Sequence, residues 1–307
     1  LKFVSAGLRG EHKVHIAAML KPIDRTVRSS LQIVAVFLSF GLVGLLTSYV
    51  VGGVLAALCG VYFLSVGFER PKPYHFRRIT SYAQYAWLGK LSSRAFSAMD
   101  TVVLGVFVSS SFIGYYEAAW NLASMLAIFG VAISQALFPE MSQVSSEGDT
   151  EQVGDLVTDA LSYTGLFLIP GFVGSLLVGD LVLRVYGGEF DQAMSVLVIL
   201  VVARLVYEYG NQFITGLNAL DRPDIAFRVN GVFVITNIVL NVGLVAAMGW
   251  IGAAIATGTS AVIATLLAYI KFNRLVSIEL PLMEIGNQFS AASGMGIFIL
   301  TCREVLP

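Results

Sequence analysis

From Ser29 to Phe68 the chain carries no charged residue. Wound as one helix at 1.5 Å per residue, that run would measure about 60 Å, twice the ~30 Å hydrocarbon thickness of a bilayer. It must therefore fold back as two membrane-crossing helices. The rest of the chain agrees. Of its 307 residues 56% are hydrophobic and only 13% charged, about half the charged share of an ordinary soluble domain. The mean hydropathy is +0.78. These features predict an all-α polytopic membrane protein.

Nine spans are expected on a ruler of about 20 apolar residues each: 31–48, 50–68, 82–108, 112–138, 157–179, 191–214, 226–247, 250–270 and 286–301. The paired glycines within Ser48–Gly53 place the first hairpin turn there. Leu1–Leu8 reads as the end of an earlier helix. The sequence starts at Leu1 without a methionine or a signal-peptide layout, so a fragment is expected. Four regions follow: 1–68, the end of an N-terminal bundle; 69–80, a basic linker, "ERPKPYHFRR"; 81–275, a second bundle; and 276–307, the start of an additional helix pair.

Lysine and arginine orient the spans. Arg25 and Arg28 precede the first; Arg70, Lys72, Arg77 and Arg78 follow the second; Arg222 and Arg228 follow the sixth; Lys271 and Arg274 follow the eighth. Those connections are read as cytoplasmic, in a multi-pass protein of the cell membrane. The acidic connection "EMSQVSSEGDTEQVGD" departs from the pattern and points to a prokaryotic, halophilic or archaeal source. Connections on the outside are short, which leaves no folded domain there for a polymerase or transferase. A spacing echo, Arg28, Gly44 and Gly52 against Arg228, Gly243 and Gly252, suggests two related bundles.

Charges facing lipid at mid-bilayer cost about 2.5–3.5 kcal/mol each. Lys90, Arg94, Asp100, Glu117, Arg204 and Glu208 therefore need a protein partner or a wet cavity. Helical spacing gathers them into stripes. Lys90, Arg94, Ser97 and Thr101 share one face of the third span. Glu117, Asn121 and Gln135 share a face of the fourth, and Arg204, Glu208, Asn211 and Gln212 a face of the sixth. Asn230, Asn237 and Asn241 mark the seventh. The cations fall in the cytoplasmic half and the acids Asp100 and Glu117 in the outer half. Competing readings stand beside the cavity: Lys90 snorkels beside Trp87, Arg204 pairs with Glu208 within its own helix, and the asparagines glue helices together. Pro170 and Gly171, inside "LFLIPGFVG", are a hinge or a static kink.

Several classes of function are excluded or left unsupported. A net charge of −1 offers no surplus for nucleic acid. Cys59 and Cys302 are expected as free thiols, and His12, His15 and His75 as interfacial side chains without metal-like partners. No nucleotide-binding, catalytic-serine, zinc or dinucleotide motif is present, so neither an enzyme, a cofactor nor a metal centre is expected.

The stretch at residues 98–142 resembles oligosaccharide flippases of the polysaccharide-transporter family, in the superfamily that also holds multidrug exporters and lipid II flippases (the MOP superfamily). The matching elements are Asp100 ahead of Leu104 and Gly105, "GYYEAA" at Gly114–Ala119 and "LFPEMS" at Leu137–Ser142. "GDLVLRVYGGEFDQA" (179–193) and "GLNALDRPD" (216–224) resemble later turns of the same family. The resemblance implies two six-helix bundles around a central cavity, with alternating access. It implies passage of lipid-linked oligosaccharide, carried on polyprenyl phosphate or pyrophosphate, from the cytoplasmic to the outer leaflet. Partners would be that lipid, the surrounding membrane lipids and glycan-assembly enzymes. On that template Lys90, Arg94, Arg204, Asn121, Asn211 and Gln212 are candidates to meet phosphate and sugar. Asp100, Glu117 and Glu208 would bind a coupling H⁺ or Na⁺ or serve structurally. A cation-coupled multidrug exporter, a membrane-embedded glycan polymerase or ligase and a non-transporting scaffold are the alternatives.

Overall fold

The computed structural model describes residues 2–10, 13–65 and 99–305. The linker at 69–80, most of the third expected span, Lys90, Arg94 and His75 lie outside the described residues, as do the side chains of His12, His15 and Cys302. The chain divides into two compact units, Leu1–Ile79 and Thr80–Pro307.

The first unit holds α1 (Lys2–Gly10), α2 (Val14–Phe37) and α3 (Gly41–Tyr62). The hairpin turn sits at residues 38–40, not at Ser48–Gly53. Ser39 (φ 57°) and Gly41 (φ 56°) supply the left-handed backbone that reverses the chain. Gly52 instead belongs to a buried stripe on α3, Gly44, Ser48, Gly52, Ala56 and Gly60, at four-residue intervals. Small residues at that spacing let two helix backbones approach. A Cβ on Gly52 would lie 3.2 Å from the Arg28 Cα on α2. The glycines that looked like a turn are therefore a contact surface. Arg28 bonds Asp24 one turn back at 2.7 Å and lies 3.8 Å from the centre of the Tyr49 ring. Cys59 is a free thiol.

The second unit begins, among the described residues, with the helical residues 99–107 (α4). It continues with α5 (Ser110–Ser146), α6 (Thr150–Arg184), a 3-10 turn (Gly188–Ala193), α7 (Met194–Ala219), α8 (Pro223–Met248), α9 (Trp250–Asn273) and α10 (Leu282–Val305). The expected acidic loop is almost wholly helical. α5 runs to Ser146, Gly148 (φ 87°) turns the chain, and the Asp149 carboxylate caps α6 by accepting from the Gln152 N–H at 3.0 Å. α6 remains helical through Pro170, and Gly171 is where the Leu126 side chain of α5 packs in; a Cβ there would lie 2.5 Å from Leu126 Cδ2.

Six helices among the described residues are long and apolar enough to cross a membrane: α3, α5, α6, the 3-10 turn with α7, α8 and α9. The first expected span, 31–48, is instead cut by the turn at 38–40 between α2 and α3, and the ninth lies within α10; α2 and α10 fall outside that set. Lys21, Asp24, Arg25 and Arg28 interrupt α2, and Glu284, Asn287 and Gln288 load the first two turns of α10.

α7 is the centre of the second unit, with α5, α6 and α9 packed around it; α8 packs on α9 and α10 on α6. Two apolar cores sit at opposite ends. One, beside the α4–α5 turn, contains Leu104, Tyr116, Leu183, Leu200 and Ala254. It is capped by Tyr115, which stacks edge-on against Phe190 at 4.9 Å and donates to Glu189 at 2.9 Å. The other contains Met141, Leu161, Phe213, Leu217 and Phe272. Between these cores, at mid-depth, lies a polar layer.

Candidate functional site

The polar layer is built from helical repeats. On α5, Tyr116, Trp120, Ser124, Gly130 and Ser134 follow one another at four- or six-residue steps along one face. On α7 the matching residues are Arg204, Glu208, Asn211 and Gln212. α8 adds Asn237 and Asn241, and α9 adds Thr257 within a run of alanines.

Asp100 of α4 is the focus at one side of the layer, and only 5% of it is exposed. Its Oδ2 accepts from the Tyr116 hydroxyl at 2.5 Å and the Thr257 hydroxyl at 2.9 Å; its Oδ1 accepts from the Asn241 amide at 2.7 Å. Asn237 supports the arrangement from behind, donating to Thr257 Oγ1 at 3.2 Å and accepting from Asn241 at 3.3 Å. Glu117, the neighbouring acid, accepts from the Thr101 hydroxyl. All of the donors to Asp100 are neutral, and among the described residues no cationic side chain pairs with it. A buried carboxylate that keeps its charge needs a compensating positive charge.

Three helices thus converge with hydroxyl and amide groups on the carboxylate of a fourth. Asn241 Oδ1, buried and without a hydrogen-bond partner among the described residues, adds a further carbonyl oxygen. Such a set of hard oxygen donors suits a small monovalent cation, with the carboxylate supplying the charge. It does not suit soft or borderline metals. Among the described residues no cluster of three His, Cys, Asp or Glu side chains could hold a metal ion.

The α5–α7 seam forms the other side of the layer. Arg204 lies 3.7 Å from Glu208, donates to Ser124 Oγ at 3.1 Å and stacks over the Trp120 ring at 4.7 Å. Glu208 is 1% exposed and fits against the bare backbone of Gly130, where a Cβ would come within 2.8 Å of its Oε2. Gln212, fully buried, donates to the Gly130 carbonyl at 3.3 Å and accepts from Ser134 at 3.0 Å. Asn211 donates to Ser134 at 3.4 Å.

The residues expected from sequence therefore separate. Asp100, Asn237 and Asn241 meet in one cluster; Arg204, Glu208, Asn211 and Gln212 meet in another. The second group fills a helix interface, while Asn121 and Gln135 remain exposed on α5. Tyr116, Thr257, Trp120, Ser124 and Gly130 were not singled out from the sequence. Thr257 had a signal, a hydroxyl that shares with Ser260 a buried face otherwise rich in alanine. Tyr116 was quoted only as part of a motif, because an aromatic in an apolar run looks like core.

A model of the family described as polysaccharide biosynthesis protein matches residues 8–195. Among individual proteins the chain is similar to the probable flippase AglR of Haloferax volcanii. The two are 35% identical over 309 residues, which cover all of this chain and 65% of AglR. It is also similar to the probable low-salt glycan biosynthesis flippase Agl15 of the same organism, at 29% identity over 91% of this chain and 59% of that protein. The chain thus spans somewhat less than two thirds of these relatives. Among solved structures, the lipid II flippase MurJ in an inward closed conformation superposes with a TM-score of 0.82. The match covers 97% of this chain and 64% of MurJ at 17% identity. A MATE protein in its bent conformation gives 0.62 at 15% identity, covering 93% of this chain and 65% of that one. At these identities the superpositions establish the fold, that of all-helical transporters of the MOP type.

Proposed function

This chain belongs to the polysaccharide biosynthesis protein family, and on that premise we propose that it flips lipid-linked oligosaccharide from the cytoplasmic to the outer leaflet. The carrier is a polyprenyl phosphate or pyrophosphate, and the product feeds cell-surface polysaccharide or glycoprotein glycan assembly. The protein works by alternating access between two bundles joined at 69–80, without covalent chemistry. Relatives named as probable flippases support this reading. In the molecule, the observation that carries it is the polar layer at mid-depth of an otherwise apolar bundle.

Lys90, Arg94 and Arg204 are the cations assigned to receive the phosphate. Asn121 lies on the exposed face of α5 and contacts sugar. Asn211 and Gln212 act at one remove, by holding the α5–α7 seam that carries Arg204. Asp100 binds the coupling cation, Na⁺ or H⁺, because among the described residues its donors are neutral and no cation compensates its charge. Glu117 and Glu208 are structural acids in this scheme, held by Thr101 and Arg204. Pro170 and Gly171 let α6 bend during the exchange of access.

The test is complementation in a cell deleted for its own flippase, with the full-length protein, reading outer-leaflet glycan. Wild type restores it, while Arg94→Ala and Asp100→Ala at matched expression do not. Full restoration by both variants would refute the assignment of phosphate and cation to these residues.

A further inference from the structure

Arg204 and Glu208 are more than seam. A cavity of about 10 Å³, the room one water molecule needs, is lined by Arg204 and Tyr207 of α7, Trp120 of α5 and Thr257 of α9. Thr257 is also a direct donor to Asp100. One cavity wall therefore belongs to the Asp100 cluster and the other to the ion pair. A water in it, at ordinary hydrogen-bond lengths of ~2.8 Å, places the guanidinium within about 8 Å of the Asp100 carboxylate.

We propose that the Arg204–Glu208 pair sets the cation affinity of the Asp100 site, acting through this one-water cavity. The inference rests on the reading of Asp100 as the cation site and takes Na⁺ as the cation. Among the described residues the charged groups in reach are few. They are Asp100 on α4, Glu117 on α5, and Arg204 and Glu208 on α7; α8 and α9 present only Asn237, Asn241 and Thr257. Arg204 repels a cation at Asp100, and Glu208, 3.7 Å behind it, cancels much of that repulsion. The two members of the pair act with opposite signs. A purely structural seam has no such sign. Trp120 and Ser124 hold the guanidinium from the α5 side, so any change in the α5–α7 spacing alters what Asp100 feels. Movement of the helices and release of the cation are thereby linked.

The measurement is the Na⁺ dependence of thermal unfolding of the full-length protein in detergent, with K⁺ replacing Na⁺ at constant ionic strength. Screened Coulomb energies at about 8 Å correspond to roughly tenfold in affinity. Arg204→Gln therefore tightens apparent Na⁺ binding roughly tenfold. Glu208→Gln weakens it by a similar factor, and the double variant returns close to wild type. Arg204→Lys keeps the charge and the wild-type affinity, which preserves the test if Arg204→Gln fails to fold. Asp100→Asn abolishes the response. Shifts of the same sign in Arg204→Gln and Glu208→Gln, or no shift while Asp100→Asn still abolishes the response, would overturn the proposal alone. A wild type indifferent to Na⁺ but active in proton-driven transport would overturn this proposal and leave the flippase reading standing. Indifference together with no transport would remove both.

Discussion

Thr257→Val isolates what the Asp100 cluster contributes. The substitution exchanges a hydroxyl for a methyl of similar size, so it opens no cavity of consequence. It removes the 2.9 Å bond to Asp100 and leaves the Asn237 amide, which donates to Thr257 at 3.2 Å, without its partner. Interhelical hydrogen bonds in membranes average ~0.6 kcal/mol and reach ~1.7. Two lost together amount to about 1–3 kcal/mol, at the upper end because one acceptor is a carboxylate. The comparison is Thr215→Val on α7. Among the described residues its hydroxyl bonds only the Asn211 carbonyl of its own helix, at 2.8 Å, so the change is expected to cost less than ~0.5 kcal/mol. Both are measured by reversible unfolding in mixed micelles, alone and in the Asp100→Asn background. In that background the Thr257→Val cost falls by about 1 kcal/mol if the bond to a charged carboxylate matters. Equal costs for Thr257→Val and Thr215→Val, or a Thr257→Val cost unchanged by Asp100→Asn, would refute the cluster as a cooperative unit.

Four further substitutions follow from local geometry. Gly130→Ala pushes a methyl within 3.1 Å of Glu208 Cβ and should cost about 1–3 kcal/mol by the same assay. Gly231→Ala, with no described atom within 4 Å, should be neutral or gain up to ~1 kcal/mol. Asp149→Ala removes the α6 cap and should cost ~1 kcal/mol, with faster amide exchange at Gln152. Gly41→Ala meets open space but forces φ 56° on an alanine; a cost of about 1 kcal/mol is expected, seen as a lower unfolding midpoint.

Sequence periodicity found most of the polar layer because each stripe lies on one helix. Arg204, Glu208, Asn211 and Gln212 recur at helical steps, and Asn237 and Asn241 lie one turn apart, so each set was visible without any partner. What periodicity could not supply was the pairing between helices. Asp100 joins Thr257 across 157 positions and Asn241 across 141, and nothing local in either stretch marks the other. The hairpin shows the same limit. Gly52 and Gly53 carry the composition of a turn, but a glycine on a membrane helix equally marks close packing, and only the position of Arg28 decides between them. The acidic connection misled for a related reason. Its charges lie on helix ends that project beyond the apolar span, and composition alone reads those as loop.

The most direct test of the flippase proposal is translocation in proteoliposomes. Full-length protein, reconstituted with a labelled oligosaccharide on polyprenyl pyrophosphate, is followed by the accessibility of the sugar to an added glycan-modifying enzyme. The proposal predicts protein-dependent loss of one-sided accessibility, accelerated by an inwardly directed Na⁺ or H⁺ gradient and abolished in Asp100→Asn. No translocation of any polyprenyl-linked glycan, alongside gradient-driven export of cationic drugs, would contradict it and assign the chain to drug transport instead.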